Sequence, residues 1–311
     1  MAPPRLVLVL SENHTLVPAR DLRSLVDVAV EAEHAGFDGV MVSEHVVLGR
    51  GADGEGRPED PREYALPGNQ DPATPWPSPL LLLAAVASVT TELRVIASAV
   101  IPPLRHPLLI GKELATLDLL SRGRLVVQPT VSWHRAEYEA LGVPFGTRGD
   151  RLDEHLEAWA LLWRASPASY HGAHYAFDEI WLEPKPFRPE GPRMWFGGQR
   201  LHDRLLRRLA AYGHGFNPLG KPTDDDLSRL DEAVREAGRD PGDLEIVGGT
   251  RGVFPDPQGP ASLDLALDQI PEQVARGSGT ICIKPSQFAD DPREIPDLLR
   301  RIVDGVAARC P

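Results

Sequence analysis

The chain has 311 residues, a normal size for one closed α/β barrel and long enough to bury most of its apolar surface in one core. Its 45 acidic against 33 basic side chains give a formal net charge of -12, a field that repels nucleic acid and anionic membrane and argues against both as partners. A hydrophobic content of 42% fits a soluble globular protein, no run of eighteen apolar residues offers a membrane span, and two cysteines, Cys282 and Cys310, make no disulfide framework.

The start, Met1 to Arg5, leads straight into a short apolar run without a signal-peptide core, so the expectation is a cytoplasmic protein. Leu6 to Leu10 is apolar on consecutive positions, as parallel strands covered on both faces are. Arg20 to Ala35 puts Leu22, Leu25, Val26, Ala29 and Val30 on one helical stripe, with Gly36 as its stop. Asp38 to Val42 is a second strand. Residues 46–78 carry many glycines and prolines and are too long for a mere connector.

Leu80 to Val89 reads as a helix, Leu93 to Ser98 as a strand, Leu108 to Leu120 as a helix and Leu125 to Val127 as a strand. Arg151 to Trp163 is helical. A second long loop, residues 164–192, holds the alternating stretch Tyr170 to Phe177 and the proline-punctuated Glu183-Pro184-Lys185-Pro186. Arg193 to Phe196 is a strand ending in Gly197-Gly198, followed by a helix from Leu201 to Tyr212. A short strand around Gly215-Phe216 precedes a helix from Asp224 to Ala237. Leu244 to Val247 and Thr280 to Ile283 read as the last strands, with helices from Leu263 to Ala275 and from Pro292 to Val306.

Eight strand–helix units in series, with no linker or composition break, predict an α/β fold: one (β/α)8 TIM barrel over residues 1–311. The insertions 46–78 and 164–192 would sit at the C-terminal face, as a lid or substrate wall. An open doubly wound sheet is the alternative. In a barrel the catalytic groups lie beyond the C-terminal strand ends. There the second strand ends in Val42-Ser43-Glu44-His45, and His45 is either a general acid/base or ring-cofactor contact, or a histidine satisfied by a neighbouring loop. Glu44 reads as structural, orienting His45 or pairing with a basic residue. Arg148 and Arg151, with Asp150, Asp153 and Glu154, read as a solvated helix face laced with ion pairs, or as the source of one arginine for an anionic cofactor tail. No metal signature, nucleophile elbow, P-loop or dinucleotide fingerprint is present.

The stretch Gly36 to Val46 resembles the second strand of the bacterial luciferase-like monooxygenase superfamily, and its F420-dependent branch most of all. The resemblance continues through Arg105 to Leu108, Leu114 to Leu125, Glu137 to Phe145, Arg148 to Glu154, Leu182 to Pro186 and Gly197-Gly198, spanning nearly the whole chain. It implies a luciferase-like TIM barrel that transfers a hydride between coenzyme F420 and a small organic substrate. Reduced deazaflavin reacts poorly with oxygen, so the chemistry would be two-electron transfer at C5.

Two other readings stand beside it. One is an FMN-dependent luciferase-like monooxygenase with a partner flavin reductase. The other is a non-catalytic cofactor-binding barrel. A homodimer, paired through helices near the second and third strands, is the expectation in either enzyme reading.

Roles follow the resemblance position by position. His45 matches the family histidine beside the isoalloxazine-type ring and is the catalytic candidate; Ser43 lies with it. Ser98-Ala99 matches the bulge behind the ring, where many deazaflavin-dependent relatives carry a cis peptide. Gly197, Gly198 and Gln199 precede a helix, where glycines admit a phosphate to backbone N–H groups. Family members usually place a glycine-rich stretch after the fourth strand. This chain has Gln128-Pro129-Thr130 there, so Gln128 and Thr130 would line a modified cofactor pocket. Trp133 and His134 are the substrate-side candidates, although His134 alone reads equally as solvent-facing. Glu137 and Tyr138 read as holding the loop.

Overall fold

The strands, in chain order, are β1 (Arg5–Val9), β2 (Gly39–Val42), β3 (Arg94–Val100), β4 (Leu125–Pro129), β5 (Ala168–His171), β6 (Ala176–Ile180), β7 (Arg193–Phe196), β8 (Gly215–Phe216), β9 (Glu245–Gly249) and β10 (Ser278–Ile283). In the computed structural model, which describes residues 3–64, 66–256 and 258–311, all but β5 and β6 close into one parallel barrel. Met1 and Ala2 of the predicted start, Ala65 of the first insertion and Pro257 lie outside the described residues. Neighbours around the ring follow β1-β2-β3-β4-β7-β8-β9-β10, and β10 returns to β1 with Leu8 opposite Ile283. The closed barrel predicted from eight units is the architecture observed, and the open sheet is excluded.

The helices are α1 (Leu22–Ala35), α2 (Pro79–Val89), α3 (Pro107–Leu120), α4 (Arg135–Ala140), α5 (Arg148–Leu162), α6 (Asp203–Tyr212), α7 (Asp224–Glu236), α8 (Leu263–Leu267), α9 (Ile270–Ala275) and α10 (Ile295–Arg309). Local signals set their ends. Asp21 caps α1 by accepting from the Ser24 N–H, and Gly36 closes it at φ 98°, where a side chain would be strained. The helix predicted over 263–275 is broken into α8 and α9. Pro271 has no N–H, and its ring opposes the Leu267 carbonyl, so the helical ladder stops there. Two elements were not predicted: the short α4, and the antiparallel hairpin β5–β6 inside the second insertion. None of the helices among the described residues is long and apolar enough to cross a membrane.

Alternation along each strand sorts the barrel interior into layers. Near the N-terminal end Glu245 accepts from Arg94 at 3.0 Å, from Trp195 Nε1 at 3.2 Å and from the Thr280 hydroxyl. Burial pushes its carboxyl up, but Arg94 and Thr280 outweigh that and hold it below the usual range. Above it, Val7, Val9, Ile96, Val126, Trp195, Val247 and Cys282 form a buried cluster, joined by Met41 and, from the first insertion, Tyr64. Two residues further along these strands, the same face carries Ser11, Ser43, Ser98, Gln128, Gly197, Gly249 and Lys284. The barrel is therefore a packed core with a polar upper rim. At the opposite end, beside the starts of β7, β8 and β9, a cleft of about 370 Å³ is lined by residues including Trp163, Met194, His214 and Arg239.

Candidate active site

The end of β2 delivers His45 to the C-terminal rim, where it is 8% exposed. Its Nδ1 lies 3.4 Å from Oε2 of Glu137, a residue of α4 that is fully buried. A carboxylate without solvent needs other donors. Glu137 receives the Val46 N–H at 2.6 Å and the Ser132 hydroxyl at 3.0 Å. Burial alone pushes its carboxyl up. The hydrogen bond and charge of His45, with those two donors, more than reverse that and hold Glu137 below the usual carboxylate value.

Two indoles wall the imidazole edge-on: Trp76 from the first insertion at 5.2 Å and Trp133 at 5.8 Å between ring centroids. Among the described residues, Trp76 Nε1 is buried without a hydrogen-bond partner. Glu44, although next to His45 in sequence, serves elsewhere. It pairs with Arg105 and accepts the Ile101 N–H at 2.8 Å, tying β2 to the segment after β3. Of the two roles read for Glu44, pairing with a basic residue is the one observed.

The neighbouring arc of the rim is a polar cluster. The Ser98–Ala99 peptide is cis. Ser98 Oγ and Asn217 Nδ2 both donate to Gln128 Oε1, each at 2.8 Å, so the glutamine is held along the rim from β3 to β8. Ser43 is fastened to β1 through its N–H and hydroxyl, both donating to Ser11 Oγ. The Thr130 N–H donates to the Val100 carbonyl at 2.8 Å.

Gly197 and Gly198 do different things. A Cβ on Gly197 would lie 1.8 Å from the Asn217 carbonyl oxygen and 3.0 Å from Gln128 Nε2, so this glycine makes room for the rim cluster. A Cβ on Gly198 would meet nothing closer than 3.7 Å. Gln199 and Arg200 are exposed, and α6 begins three residues after Arg200, capped by His202.

The first insertion lies over this rim. His134 is buried rather than solvent-facing, with its Nε2 accepting the Gly49 N–H at 2.7 Å; burial pulls its imidazole below the ordinary value. Further along, Arg62 Nε donates to Asp290 at 3.0 Å, and Lys284 Nζ donates to the Glu63 carbonyl at 2.9 Å. The strands of the second insertion pack along the outside of α5, where Glu154 accepts the N–H groups of Ala173, His174 and Tyr175 at the hairpin turn. Arg204–Asp150 and Arg208–Asp153 join α6 to α5, so the ion pairs expected on a solvated α5 face run instead to a neighbouring helix. Arg148 and Arg151 bond Phe145, Thr147 and Tyr175, and Glu154 is buried. Among the described residues no group of three or more His, Cys, Asp or Glu is placed to hold a metal ion.

A family model described as luciferase-like monooxygenase matches residues 5–297. The chain belongs to the luciferase-like monooxygenase family. Within it, the chain is similar to an uncharacterised protein of Mycobacterium tuberculosis, 34% identical over 169 residues, which is 53% of this chain and 57% of that one. It is also similar to the FMNH2-dependent dimethylsulfone monooxygenase of Pseudomonas putida, 33% identical over 130 residues, covering 41% and 35% of the two chains. These matches span less than two thirds of either relative's length.

Among solved structures, a monooxygenase from Streptomyces bottropensis superposes with a TM-score of 0.73 at 19% identity, covering 98% of this chain and 99% of that one. An F420-dependent secondary alcohol dehydrogenase gives 0.71 at 15% identity, with the same coverage. The oxygenating constituent of the Pseudomonas putida 3,6-diketocamphane monooxygenase, in complex with FMN, gives 0.70 at 19% identity and 98% coverage of both chains. At these identities the likeness shows the fold.

In this luciferase-like barrel the predicted residues 43–45, 98–99, 128–130, 133–134 and 197–199 all lie beyond or at C-terminal strand ends, on one face. Sequence reading missed the partners that complete that face: Glu137 as the carboxylate behind His45, Trp76, Asn217, Tyr64 and Lys284. Glu137 sits inside the stretch that carried the family resemblance, and Asn217 and Lys284 follow strand ends directly; those were the available signals.

Proposed function

We propose that this luciferase-like barrel is an oxidoreductase that passes a hydride between coenzyme F420 and a small organic substrate, with His45 moving the accompanying proton. The observation that carries this reading is the His45–Glu137 pair at the mouth of the barrel. A buried carboxylate on Nδ1 fixes the orientation of the ring, which leaves Nε2 as the nitrogen that exchanges a proton with a ligand. Trp76 and Trp133 keep bulk water from the imidazole and offer flat apolar walls.

The residues present fit a tricyclic cofactor. Trp76 Nε1 is a buried donor lacking a partner among the described residues, and it lies beside His45. Ser43, Ser98, Ala99, Gln128 and Thr130 offer a polar edge, and the open space at Gly198, followed by Gln199 and the start of α6, suits an anionic tail. When bound, the deazaflavin supplies or receives the hydride at C5. Trp133, backed by His134, faces the substrate side. Residues 46–78 cover the reacting groups, and the Glu137 and His134 bonds hold the first part of that cover.

A second reading, an FMN-dependent monooxygenase supplied by a partner reductase, is favoured by the 33% identity to the FMNH2-dependent dimethylsulfone monooxygenase. Assembly as a homodimer is supported by the neighbouring helices α2 and α3, which leave Leu81 and Leu109 largely exposed, at 76% and 64%. The absorption spectrum of the protein purified from a deazaflavin-producing host tests the choice of cofactor. Retained F420 supports the first reading. Retained FMN alone rejects it.

A further inference from the structure

Lys284 is a buried cation at the barrel mouth that the proton chemistry at His45 does not use. It follows β10 directly, its side chain is fully buried, and its ammonium donates to the backbone carbonyl of Glu63. The Tyr64 ring lies over it, with Nζ 5.4 Å from the centroid. The carboxylates whose charge reaches it are Glu12 and Asp60. Burying an ammonium is costly unless it is strongly partnered, and a neutral carbonyl is a weaker partner than a carboxylate.

The surroundings on this arc are also polar. Ser286 Oγ, Thr250 Oγ1 and Gln287 Oε1 are buried with no hydrogen-bond partner among the described residues. The Thr250 N–H bonds the Cys282 carbonyl, which ties the end of β9 to that of β10. On β9, Gly249 lies opposite Cys282, two residues before Lys284, and Tyr64 reaches down from the insertion onto the apolar layer.

We propose that Lys284 is the binding residue for a carboxylate on the substrate, and that the Glu63 carbonyl and Tyr64 ring occupy this subsite until a substrate displaces them. The proposal rests on the oxidoreductase reading for the word substrate, but the anion site itself does not depend on it. β10 and β2 are separated around the barrel by β1 alone, so Lys284 and the end of β2 that carries His45 are on the order of 10 Å apart. A small organic acid whose reacting carbon is several bonds from its carboxylate spans that gap. Arg62, fastened to Asp60 and Asp290, fixes the chain immediately before Glu63 and Tyr64.

Calorimetric titration with benzoate and with its neutral isostere benzamide tests the proposal. The unaltered protein is expected to bind benzoate at least about tenfold more tightly than benzamide, as a charge-assisted contact requires. Tyr64→Ala, which removes the resident ring, is expected to raise benzoate affinity severalfold. Lys284→Met is expected to erase the preference. Equal affinity for the two compounds, a preference that survives Lys284→Met, or no benzoate binding by the Tyr64→Ala protein overturns the proposal. The Tyr64→Ala result decides even if Lys284→Met does not fold. Titrating the same proteins with F420 and with FMN separates the two readings: a benzoate preference with binding of neither cofactor keeps the anion site and rejects the oxidoreductase, and cofactor binding without the preference does the reverse.

Discussion

Nδ1 of His45 lies 3.4 Å from Oε2 of Glu137, which is 92 positions away in the chain, while Glu44, its immediate neighbour, is committed to Arg105. The two acids divide the work of the β2 end: one faces the imidazole, and the other fastens the strand. Replacing each should therefore have a different effect.

Glu137→Gln keeps the shape of the buried group but removes its charge. Loss of such a supporting carboxylate should lower turnover by about 10–100-fold and shift the pH profile of kcat, with cofactor affinity nearly unchanged. His45→Ala should abolish turnover and still bind cofactor. Steady-state rates over a pH series, with Kd from fluorescence, check both. Because the folded carboxyl of Glu137 sits below its ordinary 4.5, its contribution to stability is fully present above that value and is lost as pH falls through the depressed one.

Glu44→Ala leaves Arg105 without its carboxylate and the Ile101 N–H without its acceptor. The expected cost is about 1.5–3 kcal/mol of stability. The measurement is the denaturation midpoint, and the pH dependence of whatever turnover remains should match that of the unaltered protein.

The paired glycines after β7 should respond unequally to alanine. Gly197→Ala drives a Cβ into the Asn217 carbonyl at 1.8 Å and should destabilise the barrel by roughly 3 kcal/mol or more, or prevent folding. Gly198→Ala has space and should fold normally. If that backbone holds an anionic tail, this second variant should bind F420 more weakly without losing thermal stability.

His214, at the opposite end of the barrel, accepts the Met194 N–H on Nδ1, and burial, then the charges of Arg193 and Arg239, push its imidazole down to about 4 from 6.5. Above 6.5 neither the folded nor the unfolded chain protonates it. Between 6.5 and 4 the unfolded chain takes up a proton that the folded one refuses, so stability falls as pH falls, by at most about 1.4 kcal/mol per unit. His214→Asn keeps an acceptor for Met194 and should flatten that slope in urea titrations between pH 6.5 and 4.

The barrel was legible because parallel strands buried on both faces are apolar on consecutive positions, as in Leu6 to Leu10 and Val95 to Ala97. The break at Pro271 was also written in the residues, but the apolar spacing of Leu263 to Ala275 masked it. Position at a strand end singled out His45, Ser98, Gln128 and Gly197. What strand ends do not reveal is which distant segment folds back to meet them. Trp76 and Tyr64 come from a glycine- and proline-rich insertion with no periodicity, and Glu137 looked like one more acid on a short helix. Gly197 shows a different limit: glycine beside a helix start suggests phosphate, whereas the crowding by Asn217 that requires it is a tertiary fact.

Anaerobic titration of the purified protein with reduced F420 and, separately, with reduced FMN, followed by fluorescence in the unaltered and His45→Ala forms, bears most directly on the mouth of the barrel as the site of hydride transfer. The expected result is saturable F420 binding by both forms and weaker FMN binding. Binding of FMN with none of F420, or of neither, would contradict it.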